Sequence, residues 1–542
     1  MLGLMQQHPL LISSLLTFAA RHHGNGEIVS NTVEGSRHRY TYRDAERRSR
    51  RLAQALASLG VEQGDRVGTL AWNGYRHFEL YFAVAGMGAV IHTINPRLFE
   101  AQIAYIVEHA EDRALFVDLS FVPLAERLLQ GLRHRPEALV IMTDRGHMPS
   151  VSRPAGVAVH AYEDLLAAVD ESYIWPNLDE NIAAALCYTS GTTGRPKGVL
   201  YSHRSTVLHA YGVNLADVVG LRSTDRALPI VAMFHVNAWG IPYAATMAGA
   251  ALVLAGARTD GASLHELIVS ERVTYAAAVP TIWLQLLDHL RRSGGRLDGL
   301  ERICVGGAAC PQALLETLGG EYGVRVNTGW GMTEMSPVGA YNGTRPGEAG
   351  CDSHQRRLKQ GRPFFGVALA ILDAMGAELP WDGVTPGELV ARGPWVCRDY
   401  YREDSRVVDA AGWFHTGDIA TIDPDGLVRI TDRAKDLIKS GGEWISSIEL
   451  EDVAMSHPDV AEAAVIAARH PRWDERPLLL VVAKLGREPD PADLCAWYRD
   501  RVAAWQMPDA ALVVPDLPHT ATGKLQKTVL RERYGDYYLR SG

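Results

Sequence analysis

The chain has 542 residues, a formal charge of −9, 47% hydrophobic residues and 22% charged residues. That length is too great for one compact core, so two or more domains are expected in a globular protein of ordinary composition. The mild acidity leaves no basic footprint for nucleic acid. The six cysteines form no C-x-x-C pair and no zinc spacing, which fits buried thiols in a reducing, cytoplasmic setting.

The first apolar run, MLGLMQQHPLLISSLLTFAARHH, is broken by Gln, His and Ser and lacks a basic leader. It reads as an amphipathic or buried helix, with no signal peptide and no transmembrane segment. The densest basic run, Arg43 to Arg51, follows Thr41 and Asp44 at capping-box spacing and precedes Leu52, Leu56, Leu59 and Gly60. This predicts a helix with a solvated basic face. Apolar runs at 65–73, 113–118, 137–144, 250–256, 273–280 and 301–309 then alternate with helical stretches such as HFELYFAVAGMGA and PTIWLQLLDHLRR. The alternation predicts an α/β protein with much parallel sheet.

Within that pattern, IAAALCYTS (182–190) predicts a buried strand feeding the segment YTSGTTGRPKGV, Tyr188 to Val199. Such a loop can converge its backbone N–H groups on phosphate oxygens. Gly191 and Gly194 allow close approach, Ser190, Thr192 and Thr193 add hydroxyls, and Lys197 adds a mobile cation. It is not a Walker loop, because it ends Arg-Pro-Lys-Gly where that pattern needs Gly-Lys-Ser/Thr.

Near residue 430 the texture changes. GLVRITDRAKDLIKSGGEW is charged and glycine-rich and predicts a linker. After it come a helix (SSIELEDVAMSH), strands (VAEAAVIAA, PLLLVVAKL), a helix (PADLCAWYRDRVAAWQ) and a strand (ALVVPDL), enough for a small α+β domain. The expected division is 1–433 and 434–542.

The phosphate loop resembles the signature of the adenylate-forming superfamily: acyl-CoA synthetases, firefly-luciferase-type enzymes and peptide-synthetase adenylation domains. GWGMTEMS (329–336), GELVARGP (387–394), WFHTGDIA (413–420), DRAKDLIKSGGEWISSIELE (432–451) and PHTATGKLQK (518–527) resemble its later motifs, in its order. The resemblance implies an α/β fold: a large N-terminal adenylate-forming domain with parallel-rich sheets, and a small mobile α+β C-terminal domain. It also implies an AMP-forming acyl-CoA ligase using ATP, Mg²⁺ and coenzyme A. A carboxylic acid attacks the α-phosphate to give an acyl-adenylate and pyrophosphate, and a thiol then displaces AMP.

Carried onto this sequence, the resemblance makes Thr189, Ser190, Gly191, Thr192, Thr193, Gly194 and Lys197 the phosphate cradle. Glu334, with the Thr192 hydroxyl, is suited to Mg²⁺. Trp330 offers a flat ring to adenine beside Gly331, Met332 and Thr333. Gly307 and Ala308 let nucleotide and acyl group lie against the backbone, and Asp418 and Arg433 hold the ribose. Lys524 becomes the catalytic lysine of adenylation and Lys435 the pivot of the C-terminal domain. Lys439, Gly441, Gly442 and Trp444 then face the pantetheine arm.

The stretch MFHVNAWGIPYAATMAGAALVL (233–254) resembles the acid-binding segment of fatty-acyl and related CoA ligases. It lacks the Asp that amino-acid adenylation domains use, so an apolar tail is expected. His235 would gate the site or orient the carboxylate. Trp239 would wall the pocket with Gly307 and favour short, medium-length or thioether acids. The overall look is that of bacterial medium-chain fatty-acid and 3-(methylthio)propionate CoA ligases, with an ordered insertion at 342–366. Competing readings are a stand-alone enzyme loading a carrier protein, a luciferase-like oxygenase and a non-catalytic ATP-binding regulator. CoA is the simpler thiol. A homodimer is compatible with the sequence, which does not specify it.

Overall fold

The computed structural model describes residues 1, 3–189, 195–343, 356–404, 406–441, 443–519 and 525–540. Among these residues the strands build four sheets. In the first, Ala158–Ala161, Ala138–Ile141, Asp112–Val117, Arg66–Leu70, Val90–Thr93 and Ala183–Tyr188 run parallel, and Gly198–Ser202 closes the edge antiparallel to Ala183–Tyr188. In the second, five parallel strands from Arg325–Gly331 through Arg302–Val305, Tyr275–Ala278, Arg226–Pro229 and Ala251–Leu254 continue into Glu27–Asn31. Antiparallel Val338–Asn342 and Arg37–Thr41 form its two edges. Each continuous apolar run of the sequence becomes a strand covered on both faces, as parallel sheets require. The expected α/β architecture is therefore observed.

The helix Tyr42–Ser58 starts on the foreseen capping box, with the Thr41 and Asp44 side chains each accepting from the other's backbone N–H, and is followed by Gly60 in the left-handed region. Its basic face is not wholly solvated. Arg48 is three-quarters covered and pairs with the fully buried Glu79 at 2.7 Å and with Glu163 at 3.0 Å. Sequence periodicity assigned Arg48 to the outside because its carboxylate partners lie 31 and 115 residues away. The N-terminal run forms the helix Ile12–His22, burying Ile12, Leu15, Leu16 and Ala19. No described helix is long and apolar enough to cross a membrane.

Downstream, Ala368–Leu372, Gly387–Arg392, Phe414–Ile422 and Val428–Arg433 make an antiparallel sheet. A further sheet joins Glu443–Ile445, Ile438–Ser440, Asp474–Ala483, Val460–His470 and Ala510–Val513. The glycine-rich stretch read as a linker is thus mostly strand, and only residues 434–437 separate the two sheets. The helix foreseen at 491–506 stops at Ala496. Tyr498 turns inward there to donate its hydroxyl to Leu450 O at 2.7 Å, and Asp500 takes a left-handed φ of 61°, which a helix cannot continue through. Residues 344–355 of the foreseen insertion lie outside the described residues.

Candidate active site

A cavity of about 780 Å³ opens where Ile230, Ala278, Gly306 and Gly329 to Met332 reach the carboxyl ends of the second sheet's parallel strands. Open α/β sheets characteristically bind ligands at that edge. Residues of the phosphate hairpin, of the 433–436 crossing and of the segment Leu525 to Val529 complete its walls.

One part of the cavity wall is polar. Asp418 and Arg433 are cross-strand partners, which brings Arg433 Nε to 2.6 Å from Asp418 Oδ1. The indole Nε1 of Trp330 donates to Asp418 Oδ2 at 2.8 Å. Trp330, Gly331, Met332, Thr333 and Arg433 line the cavity. Asp418, 3% exposed, lies behind them rather than in the wall, since its carboxylate is turned onto the indole and guanidinium. An ionised carboxylate retains lone pairs after those two bonds. Gly331 is required where it stands: an added Cβ would sit 2.0 Å from Pro337 O. Gly307, with φ of 82°, lines the cavity, whereas Ala308 does not.

Glu334 sits in the turn Thr333–Met335, 7% exposed, in the cavity wall. Tyr400 donates its hydroxyl to Glu334 Oε1 at 2.8 Å, Cys397 N–H donates to Glu334 O at 2.6 Å, and Tyr201 donates to Thr333 O at 2.6 Å. The same Tyr400 ring lies 4.6 Å beneath Lys197 Nζ. The hairpin base is held by Thr189 N–H on Lys197 O at 2.9 Å and Lys197 N–H on Thr189 Oγ1 at 3.2 Å. The phosphate loop thus joins two antiparallel strands and opens no helix, consistent with its exclusion as a Walker loop. Ser190, Gly191, Thr192, Thr193 and Gly194 lie outside the described residues. Thr189 and Lys197 both line the cavity.

Other parts of the wall are apolar or aromatic: Val213, Val219, Ile241, Tyr275, Cys304 and Tyr341. His235 and Trp239 line the same cavity. Between them the backbone does something the sequence did not announce. Val236, Asn237, Ala238 and Trp239 all adopt left-handed φ values, from 47° to 58°, and Gly240 follows at 73°. Left-handed conformation costs a non-glycine residue roughly 1–2 kcal/mol, so the turn must be held from outside.

Its restraints are visible. The buried Asn73 amide donates to Pro229 O at 2.8 Å and Val231 O at 2.9 Å, and its Oδ1 accepts from Met233 N–H at 2.7 Å. Tyr81 donates to Met233 O at 2.5 Å. Behind Gly240 stands His209, placed so that any Cβ there would meet its Nδ1 at 2.7 Å. Burial pushes the His209 pKa down to about 3, so the ring is neutral and its Nε2 accepts from Val338 N–H at 3.2 Å. His209 therefore joins the strained turn to the strand that follows Glu334. The Trp239 ring in turn packs on Gly306, where a Cβ would come within 3.0 Å.

The C-terminal residues divide. Lys435 lines the cavity, as do His519 and Leu525 to Val529. Lys524 and Gly442 lie outside the described residues. Lys439, Gly441 and Trp444 do not line the cavity in this arrangement. They are exposed on the C-terminal sheet, with Lys439 Nζ 5.9 Å over the Trp444 ring. Asn73, His209, Tyr400 and Arg97 carried no sequence signal. Arg97 lines the cavity between the Trp72 and Phe234 rings, at 5.8 and 5.9 Å, with no ion pair among the described residues, and burial lowers its pKa.

Thr189 and Lys197 of the hairpin, Trp330 and Arg433 of the Trp–Asp–Arg cluster, and a set of apolar side chains thus share one cavity. The chain belongs to the AMP-binding enzyme family: that family's model matches residues 16–401, and the model for the AMP-binding enzyme C-terminal domain matches 449–524. It is 48% identical to a medium-chain-fatty-acid–CoA ligase of Ectopseudomonas oleovorans over 544 aligned residues, covering 100% of this chain and 99% of that one. It is also 48% identical to a 3-methylmercaptopropionyl-CoA ligase of Ruegeria lacuscaerulensis, covering 99% of each. Among solved structures, an anthranilate CoA ligase in complex with anthranoyl-AMP superposes with a TM-score of 0.86 at 26% identity, covering 99% of this chain and 100% of that one. The resemblance to adenylate-forming enzymes is borne out, and with it the reading of an acid–thiol ligase of the AMP-forming type.

Proposed function

We propose that this ligase activates a short- to medium-chain carboxylic acid with an apolar tail and passes the acyl group to coenzyme A. The observation that supports the acid class is the apolar and aromatic part of the cavity wall, with Val213, Val219, Ile241, Tyr341 and Trp239 in it. In the first step a carboxylate oxygen attacks the α-phosphorus of ATP and the bond to pyrophosphate breaks. In the second the thiol sulfur attacks the acyl carbon, the bond to AMP breaks, and the thiol proton leaves to solvent. Negative charge grows in the first step, so positioned donors and cations do more than any general base.

Each group then has a task. Thr189 and Lys197, with the loop they bracket, hold the outgoing pyrophosphate. Trp330 flanks adenine while Asp418, steadied by Arg433, accepts from the ribose hydroxyls. His235 orients the acid. The Glu334 carboxylate, in the cavity wall with one oxygen on Tyr400, suits Mg²⁺, which needs only one or two protein oxygens beside phosphate and water. Thr192 would add its hydroxyl. Bound there, the ion would neutralise charge on the phosphates.

Residues 1–433 form the acid- and ATP-binding domain and 434–542 a mobile domain turning about Lys435. The shortness of the 434–437 crossing favours this division. Turning would bring Lys439, Gly441, Gly442 and Trp444 towards the acyl-adenylate. Five free cysteines among the described residues suit a cytoplasmic home.

The test is pyrophosphate release with CoA across propionate, methylthiopropionate, octanoate, palmitate and cinnamate. No acid-dependent release rejects the ligase reading, and a preference for palmitate rejects the short-to-medium range. Trp239→Ala is expected to move the preference towards longer chains, raising kcat/KM for them about tenfold, the scale of one or two methylenes admitted to a pocket. Trp444→Ala is expected to raise KM for CoA about tenfold, the loss of one aromatic contact, while acid-dependent ATP–pyrophosphate exchange stays unchanged.

A further inference from the structure

The end of the four-stranded sheet is tied to the C-terminal unit by a buried network that the roles above leave unused. Asp432 closes the strand Val428–Arg433 and is 1% exposed. Its Oδ2 accepts from both the N–H and the hydroxyl of Ser447, each at 2.6 Å, and its Oδ1 accepts from Arg433 N–H at 2.7 Å. Ser447 begins the helix Ser447–Met455, so the carboxylate also faces a helix N-terminus, where negative charge is favoured. The Ser447 hydroxyl in turn accepts from Lys527 Nζ at 2.6 Å, and Lys527 pairs with Glu451 at 2.7 Å. Beside this chain, Ser446 donates its hydroxyl to Thr431 O at 2.5 Å.

The two ends of the network belong to different bodies. Asp432 and Thr431 pair with the strand Phe414–Ile422, which also carries Asp418. Ser446, Ser447 and Glu451 belong to the helix packed on the C-terminal sheet, and Glu451 Oε1 accepts from Val465 N–H within that sheet. Lys527 starts the helix Lys527–Tyr534, and Leu525 to Val529 line the cavity. Any turn about residues 434–437 leaves Asp432 behind and carries Ser447 and Lys527 away. The contacts therefore exist only while 525–529 cover the cavity.

We propose that Asp432, through Ser447 and Lys527, is a state-selective positioning residue: it holds the C-terminal unit in the orientation that forms the acyl-adenylate and must release it before thioester formation. The bonds are charge-assisted and sealed from water, so they are stronger than surface pairs. Removing them lowers the population of the cavity-covered state without touching substrate. This inference rests on the two-step ligase reading, which acid-dependent pyrophosphate release by the unaltered enzyme checks separately.

The experiment compares half-reactions in Asp432→Asn and Ser447→Ala. Acid-dependent ATP–pyrophosphate exchange should fall about tenfold or more, while thioester formation from synthetic acyl-adenylate and CoA changes less than about threefold. Cleavage of the ligand-free enzyme at the 434–437 crossing by a limiting protease should speed up in parallel. A merely structural role would depress both half-reactions together, and that result overturns the proposal. So does unchanged exchange in both variants. If Asp432→Asn does not fold, Ser447→Ala gives the same reading alone, because it keeps the carboxylate and the backbone donor and removes only the hydroxyl between Asp432 and Lys527.

Discussion

Lys524→Ala is expected to abolish acid-dependent ATP–pyrophosphate exchange while leaving thioester formation from a supplied acyl-adenylate within about twofold; loss of a preorganised donor at a developing charge costs on the order of 10²–10³ in rate. Lys524 itself lies outside the described residues, but it is bonded to Leu525, whose side chain is in the cavity wall. Leu525 pairs across to His519, also in the wall, and Gln526 N–H donates to Pro518 O at 2.8 Å. In the proposed role the Lys524 ammonium would meet the attacking carboxylate and the α-phosphate, both of which gain or redistribute negative charge only in the first step. The second step displaces AMP with a thiol and needs a different wall. Equal loss in both half-reactions, measured by exchange and by thioester yield, would remove Lys524 from this role.

Asp418→Asn should raise KM for ATP by roughly 10–100-fold, since each charge-assisted hydrogen bond lost from a buried site is worth about 1.5–3 kcal/mol. The carboxylate is 3% exposed, accepts from Trp330 Nε1 and pairs with Arg433; in the proposed role its remaining lone pairs would accept from the ribose hydroxyls. An amide keeps the shape but replaces one of the two acceptor oxygens with an NH2 donor, so either the indole N–H or the guanidinium, donors themselves, loses its acceptor. Trp330 and Arg433 both face the cavity, so their displacement reaches the nucleotide directly. The KM for the acid, with which Asp418 shares no proposed contact, should move by less than about threefold, as for sites sharing no partners. A variant with unchanged KM for ATP would contradict the assignment of Asp418 to the ribose.

What could be read from the sequence divides along physical lines. Seven strands of the two large sheets were visible because they are continuous apolar runs, and the cap at Thr41 because two side chains three residues apart decide it locally. The phosphate hairpin, Glu334, Asp418 and Arg433 were legible as ordered motifs. Contacts between distant segments were not. Arg48 looked solvated because Glu79 and Glu163 are remote in sequence. Asn73 is a single polar residue at the end of an apolar strand run and His209 one in a helix, and only the folded chain brings them to Met233 and Gly240. The left-handed run from Val236 to Trp239 was hidden for the opposite reason. Three of its four residues, Val236, Ala238 and Trp239, avoid that conformation, so local preference pointed away from the observed turn and tertiary restraint overrode it.

That turn bears on how this enzyme's acid preference can change over generations. Most pocket mutations lose packing and push a marginally stable protein towards unfolding. Here a residue of the cavity wall, Trp239, occupies backbone that glycine accepts without strain. Replacing it with glycine removes packing and relieves conformational energy in the same step, the two effects acting in opposite directions on stability. With Trp239 walling the acid site as proposed, a change there would cost less stability than one at Tyr275 or Tyr341, whose backbones lie in regular strands and return nothing when the side chain shrinks.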